Sequence, residues 1–120
     1  MHNFIIYHNP RCSKSRKTLE LLHQEGVNPK IILYLQSPPD EEELLGIIKA
    51  LKIKPRDLLR KGEEEFKSLN LSNSNKTDEE ILSSMVKFPK LIERPIVVKG
   101  NKAIIGRPPE NIHKLIKKEE

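Results

Sequence analysis

The chain contains a single cysteine, Cys12. The thiolate is the nucleophilic form of cysteine, and an ordinary thiol is only about 3% ionised at pH 7. A reactive Cys12 therefore needs surroundings that favour the anion, and the sequence supplies two. Cys12 stands where the apolar run Phe4-Ile5-Ile6-Tyr7 hands over to a helical pattern, and a helix N-terminus presents free N–H groups and partial positive charge. His8, Arg11, Lys14 and Arg16 surround it as potential cations. A free cysteine is commonly a small buried hydrophobe. These polar neighbours argue instead for a thiolate.

Spacing removes several other cysteine chemistries. A protein-phosphatase loop needs an arginine six positions after its cysteine, where this chain has Thr18. A dithiol redox motif needs a second cysteine at position 15, which is Ser15. Metal binding needs several converging ligands, but His2, His8, His23 and His113 are scattered, so no metal is expected. His2 lies at the terminus, and His23 and His113 read as solvated helix side chains. His8, at the strand end, is either a group that tunes the thiol or a polar loop residue, and the tuning role is favoured. With no resolving cysteine, any disulfide must form with an outside thiol, for which glutathione is the obvious intracellular source.

Three arginines fall outside the helical charge pattern: Arg60, Arg94 and Arg107. The planar guanidinium fork suits tetrahedral oxyanions, because it donates two parallel hydrogen bonds. Single arginines are usually surface charges. Arg94 and Arg107 differ in each preceding a proline, Pro95 and Pro108, which holds the backbone extended. Several such groups around one thiolate would hold an oxyanion against it.

The elements that must position these residues follow from hydrophobic period. Phe4–Tyr7 and Ile31–Leu35 read as strands. Between them Ser13 is placed to cap a helix that buries Leu19, Leu21 and Leu22 and ends at Gly26. This is a βαβ unit with parallel strands. Ser37-Pro38-Pro39-Asp40 opens a second helix, with Leu44, Ile47, Ile48 and Leu51 on one face. Short helices follow around Leu58-Leu59 and around Phe66 and Leu69, then a polar loop, 70–76. Thr77-Asp78-Glu79-Glu80 forms a capping box before Ile81, Leu82, Met85 and Val86. Ile96–Val98 and Ala103–Ile105 make a hairpin around Gly100-Asn101, and Pro108-Pro109 opens a last helix with Ile112, Leu115 and Ile116 inward. The expected class is α/β: a thioredoxin-like mixed sheet, β-α-β then β-β-α, with a helical insertion between the halves. One domain, 1–120, is expected. In thioredoxin-like folds a cis-proline sits beside the active cysteine, which predicts a cis bond at Arg94-Pro95.

Composition narrows the partners. The chain has 120 residues, 36% of them hydrophobic, with 22 Lys plus Arg against 17 Asp plus Glu, for a net charge of +5. That excess favours anions in general without indicating nucleic acid. The aromatics are three Phe and two Tyr with no Trp, too few for base-stacking platforms. Apolar runs are too short to span a bilayer, and no export signal opens the chain. A solitary cysteine suits a reducing compartment, so the expected location is the cytoplasm, and with no large apolar surface evident in the sequence the expected state is a monomer.

These same residues carry a family resemblance. The chain resembles the glutaredoxin-coupled arsenate reductases, specifically a short branch of them. The match runs through Ile6-Tyr7-His8-Asn9-Pro10-Arg11-Cys12-Ser13-Lys14-Ser15-Arg16, which holds the family's H-x3-C-x3-R pattern. It continues through Tyr34-Leu35, Pro38-Pro39, Leu58-Leu59-Arg60-Lys61, Glu93-Arg94-Pro95-Ile96-Val97-Val98 and Gly106-Arg107-Pro108. The resemblance implies that Cys12 attacks arsenate, or a related oxyanion, to form a Cys–S–As(V) adduct. Glutathione would then add to the arsenic, and glutaredoxin would remove it as a mixed disulfide. It further implies that Arg60, Arg94 and Arg107 bind the oxyanion, that His8 lowers the thiol pKa, and that no cofactor is bound. The chain ends at Glu120, where better-studied members carry a longer C-terminal tail, and this leaves the oxyanion's identity open.

Two other readings compete. Spx-type transcription regulators share this fold and bind RNA polymerase, but usually carry Cys-x-x-Cys where this chain has Cys12-Ser13-Lys14-Ser15. A monothiol disulfide exchanger would use Cys12 without calling for three arginines.

Overall fold

The computed structural model describes residues 3–116. His2, Lys117 and Lys118 lie outside the described residues. In chain order the elements are β1 (Phe4–His8), α1 (Ser13–Gln24), β2 (Lys30–Leu33), α2 (Glu41–Leu51), α3 (Glu64–Ser68), α4 (Asp78–Lys87), β3 (Ile96–Lys99), β4 (Lys102–Ile105) and α5 (His113–Ile116). Short 3₁₀ turns occupy Pro55–Leu58, Pro89–Leu91 and Pro109–Ile112. The chain forms two compact units, one running to Ser37 and resuming at Arg94, the other Pro38–Glu93.

The first unit holds a four-stranded sheet in the order β2-β1-β3-β4. β1 and β2 are parallel, joined through α1, while β3 is antiparallel to both β1 and β4. This is the expected mixed β-α-β, β-β-α arrangement. Its core gathers Ile6 from β1, Leu22 from α1, Val97 from β3 and Ile112 and Leu115 from the C-terminal segment. Leu22 is wholly buried, so Leu22→Ala would remove roughly 2–5 kcal/mol of stability.

Register decides which residues share an end of this sheet. Tyr7 pairs with Ile96, and Ile96 pairs with Ile105. One row across three strands therefore sets the end of β1, the start of β3 and the end of β4 side by side. The Cys12 loop, Arg94-Pro95 and Gly106-Arg107 all leave the sheet at that row. The peptide bonds Arg94-Pro95 and Arg107-Pro108 are both cis; only the first was expected.

The second unit is helical. Asp40 caps α2, its side chain accepting from the Glu43 N–H at 2.8 Å. Thr77 and Glu80 close the expected capping box on α4. The Arg56 guanidinium donates to the carbonyls of Leu71, Asn73 and Lys76, which gathers the polar loop 70–76 around one cation. No helix among the described residues is long and apolar enough to cross a membrane.

Three local expectations change. Cys12, not Ser13, is the N-cap of α1: its backbone is extended (φ −96°, ψ 123°) and its carbonyl accepts the Arg16 N–H at 3.0 Å, the first helical bond. β2 begins at Lys30 and ends at Leu33, because Gln36 and Ser37 N–H groups turn back onto the Leu33 carbonyl. The last helix opens as a 3₁₀ turn and becomes α-helical only at His113.

Candidate active site

The loop after β1 is held by short-range hydrogen bonds. Cys12 N–H donates to the Asn9 carbonyl and Arg11 N–H to Asn9 Oδ1, both at 3.0 Å. Arg16 reaches back from α1 to donate Nη1–H to the Pro10 carbonyl at 2.8 Å. Ser15, wholly buried, accepts the Asn9 N–H at 3.0 Å and hydrogen-bonds His8 Nδ1 at 2.7 Å through the same Oγ. The loop is thus closed at both ends before any ligand arrives.

Its placement as N-cap turns the Cys12 side chain toward the opening turn of α1. No side-chain capping hydrogen bond is formed by the neutral thiol, a weak acceptor. The anion is another matter. Burial is the largest single influence on Cys12 and opposes ionisation. Against it act the Ser15 N–H, then the Arg94 guanidinium by hydrogen bond and by charge, then the Lys14 N–H. Together they outweigh burial and hold the thiol below its ordinary pKa. The partner charge comes from Arg94, 82 residues away in sequence. The sequence neighbours Arg11, Lys14 and Arg16, read as candidate cations for this role, are all exposed.

Of the potential cations around Cys12, His8 stands in surroundings that disfavour its charge. It is 6% exposed, and burial first, then the Arg16 charge, push its pKa below the ordinary 6.5. A ring neutral at pH 7 cannot act on the thiolate as a charge. Its contact is with Ser15, whose own N–H faces Cys12.

Arg107 is exposed and donates Nη1–H to the Arg94 carbonyl at 3.5 Å. Arg94 and Arg107 are thereby brought together on the row that also carries the Cys12 loop. Arg60 belongs to the second unit. There its Nε–H donates to Glu63 at 3.2 Å and its Nη1–H to Glu93 at 3.3 Å, so the guanidinium already serves two carboxylates.

Three residues of this region were read in the sequence only for what they are not, or not read as functional at all. Ser15 marked a missing cysteine and Thr18 a missing arginine, yet both are wholly buried and hydrogen-bonded. Gly106 carried no signal beyond its place before Arg107-Pro108. For Ser15 and Thr18 a usable signal existed: small hydroxyl residues at three-residue spacing on one helix face, next to a loop rich in backbone donors and acceptors.

A stabilised thiolate beside the Arg94 guanidinium, with Arg107 held to the Arg94 backbone, can attack the central atom of a tetrahedral oxyanion whose oxygens such arginines hold. Among the described residues no three His, Cys, Asp or Glu side chains gather as metal ligands.

The sequence pattern of the ArsC family matches residues 7–115. An arsenate reductase of Haemophilus influenzae is 48% identical over 113 residues, covering 93% of this chain and 97% of its own. An arsenate reductase of Escherichia coli is 44% identical over 110 residues, 92% of this chain and 78% of its own. Among solved structures, an arsenate reductase from Vibrio cholerae superposes with a TM-score of 0.93 at 44% identity, over 96% of this chain and 98% of that one. With a match spanning nearly the whole chain and a thiolate site at the strand-to-helix junction, the chain belongs to the ArsC family.

Proposed function

We propose that this chain reduces arsenate to arsenite, with Cys12 as the sole protein nucleophile and glutathione and glutaredoxin as external reductants. The observation that carries the reading is the Cys12 side chain at the N-cap of α1, lowered in pKa by the Ser15 and Lys14 N–H groups and the Arg94 guanidinium. Relatives bearing the name arsenate reductase support the substrate.

Cys12 Sγ attacks As(V) as the thiolate, and an arsenate hydroxyl leaves as water, taking from solvent a proton equivalent to the one the thiol released on ionising. Glutathione displaces a second hydroxyl in the same way, leaving arsenic bonded to both sulfurs. The glutaredoxin thiolate then attacks the glutathione sulfur. An S–S bond forms and the As–S bond to glutathione breaks, its electron pair staying on arsenic. Two sulfurs are oxidised to a disulfide as As(V) becomes As(III). Water finally hydrolyses the Cys12 S–As(III) bond and restores the thiol. Arg94 and Arg107 hold the arsenate oxygens and offset their charge, which otherwise repels the thiolate. His8, through Ser15, keeps the first turn of α1 aimed at Sγ. Arg60 joins on the family resemblance. A glutathione-fed cycle belongs in a reducing cytoplasm.

The test is a coupled assay: purified protein, arsenate, glutathione, glutaredoxin, and glutathione reductase with NADPH. Arsenate-dependent NADPH consumption is expected, and Cys12→Ser should abolish it. Turnover surviving Cys12→Ser would refute the role of Cys12, and no turnover by the wild-type chain would refute arsenate as substrate.

A further inference from the structure

Gly106 is buried where three parts of the first unit meet. Its N–H donates to the Pro95 carbonyl at 2.8 Å, and its carbonyl lies 3.3 Å from the Thr18 hydroxyl. A Cβ built at position 106 would stand 2.6 Å from Thr18 Oγ1, 2.9 Å from Pro95 Cγ and 3.0 Å from Thr18 Cγ2. Real Cβ atoms do not approach other atoms this closely. Neither neighbour is the loose end of a flexible side chain. Thr18 is wholly buried, its Oγ1–H donating to the Lys14 carbonyl at 2.8 Å. Pro95 is a buried closed ring at the start of β3.

Each neighbour is covalently close to a residue of the site. Thr18 lies on α1, behind the turn that Cys12 caps, and its hydroxyl grips the carbonyl of Lys14. Pro95 follows Arg94, and Gly106 itself precedes Arg107. One missing side chain thus lets the nucleophile's helix and both arginine-bearing segments close onto a common point. We propose that the Thr18–Gly106 contact is a positioning device, setting the spacing between Cys12 and the arginines Arg94 and Arg107. The inference deepens the arsenate-reductase reading and rests on it for the identity of the oxyanion.

Restoring ordinary van der Waals contact around a methyl at position 106 requires a shift of about 0.8 Å between α1 and its neighbours. Displacements near 1 Å between reacting groups lower rates by about 100-fold. Gly106→Ala is therefore expected to lower kcat/KM for arsenate about 10- to 100-fold. It is also expected to raise the Cys12 pKa, read from the pH dependence of alkylation, because Arg94 moves off the thiolate. Adding Thr18→Ala removes two of the three closest atoms and should return the thiol pKa toward the wild-type value.

If Gly106→Ala does not fold, Thr18→Val carries the test. It keeps the volume and removes the hydroxyl that ties Lys14 to Gly106, and the same rise in thiol pKa is expected. A fall in melting temperature with an unchanged alkylation profile, in whichever of the two variants folds, would mean packing alone and would overturn the proposal. So would wild-type kcat/KM in Gly106→Ala. The alkylation profile needs no arsenate, so a wild-type chain inactive on arsenate would refute the proposed reaction while the profile still judges the positioning role.

Discussion

Ser15→Ala isolates the connection between His8 and the thiol-facing turn. Ser15 Oγ is wholly buried and serves two partners, His8 Nδ1 at 2.7 Å and the Asn9 N–H at 3.0 Å. Removing it strands both inside the protein. An unsatisfied buried polar group costs about 1–3 kcal/mol. His8 is buried and should bear a full cost, whereas Asn9 is half-buried and can recover part of its loss from water. The expected destabilisation is about 2–4 kcal/mol. For a domain of this size each kcal/mol moves Tm by about 4 °C, so a drop of about 8–16 °C should appear by calorimetry under reducing conditions. Ser13→Ala is the control in the same turn. Ser13 is exposed, and its replacement should change stability by no more than about 0.5 kcal/mol. The backbone N–H of residue 15 survives in Ser15→Ala, but the turn bearing it loses its anchors, so the Cys12 alkylation pKa should rise as well. A Tm within about 2 °C of wild type, worth about 0.5 kcal/mol, would refute the reasoning. The His8–Ser15 bond would then not hold the loop.

Arg94→Ala should raise the Cys12 pKa and raise KM for arsenate about 10- to 100-fold, the loss of one or two charge-assisted hydrogen bonds of about 1.5–3 kcal/mol. Arg94→Lys should recover little, since a point charge lacks the bidentate fork, and full recovery would refute bidentate binding. His8 gives stability a pH dependence of known sign. Its folded-state pKa lies below the unfolded value of 6.5, so between the two the unfolded chain holds the extra proton and stability falls as pH drops below about 6.5. His8→Asn should flatten that part of a urea-denaturation pH series, and an unchanged slope would assign the acid sensitivity to another group. Arg60→Ala leaves Glu63 and Glu93 without their shared cation, and with the three side chains 20–29% exposed the loss should be about 1–2 kcal/mol. A melting temperature unchanged within about 1 °C, where about 4–8 °C is expected, would show that these ion pairs contribute nothing.

Much of the scaffold was legible in the chain because it is local. The Thr77–Glu80 capping box and the stripe of Leu44, Ile47 and Ile48 are each fixed within a turn or two of helix, and each formed as read, while the helix opening read at Ser37-Pro38-Pro39-Asp40 takes its cap from Asp40. The N-cap was missed by one residue. Ser13 is the better capping residue by propensity, but the Asn9–Cys12 turn set the helix start one position earlier.

What the sequence determined by itself was the kind of chemistry on offer: a lone sulfur at a strand-to-helix junction, arginines at proline-braced junctions, and an α/β fold to carry them. The tertiary structure decided which of these meet and in what charge state. Arg94 reaches Cys12 because Tyr7, Ile96 and Ile105 share one row of the sheet, a register that no local pattern encodes. The charged form of His8 is disfavoured because burial, reinforced by the Arg16 charge, pushes its pKa down. Thr18 meets Gly106 across 88 residues of chain. Helix caps and hydrophobic periods are settled between neighbours a few bonds apart. Desolvation, charge pairing and close contact depend instead on distances through space, and those exist only once the strands have paired.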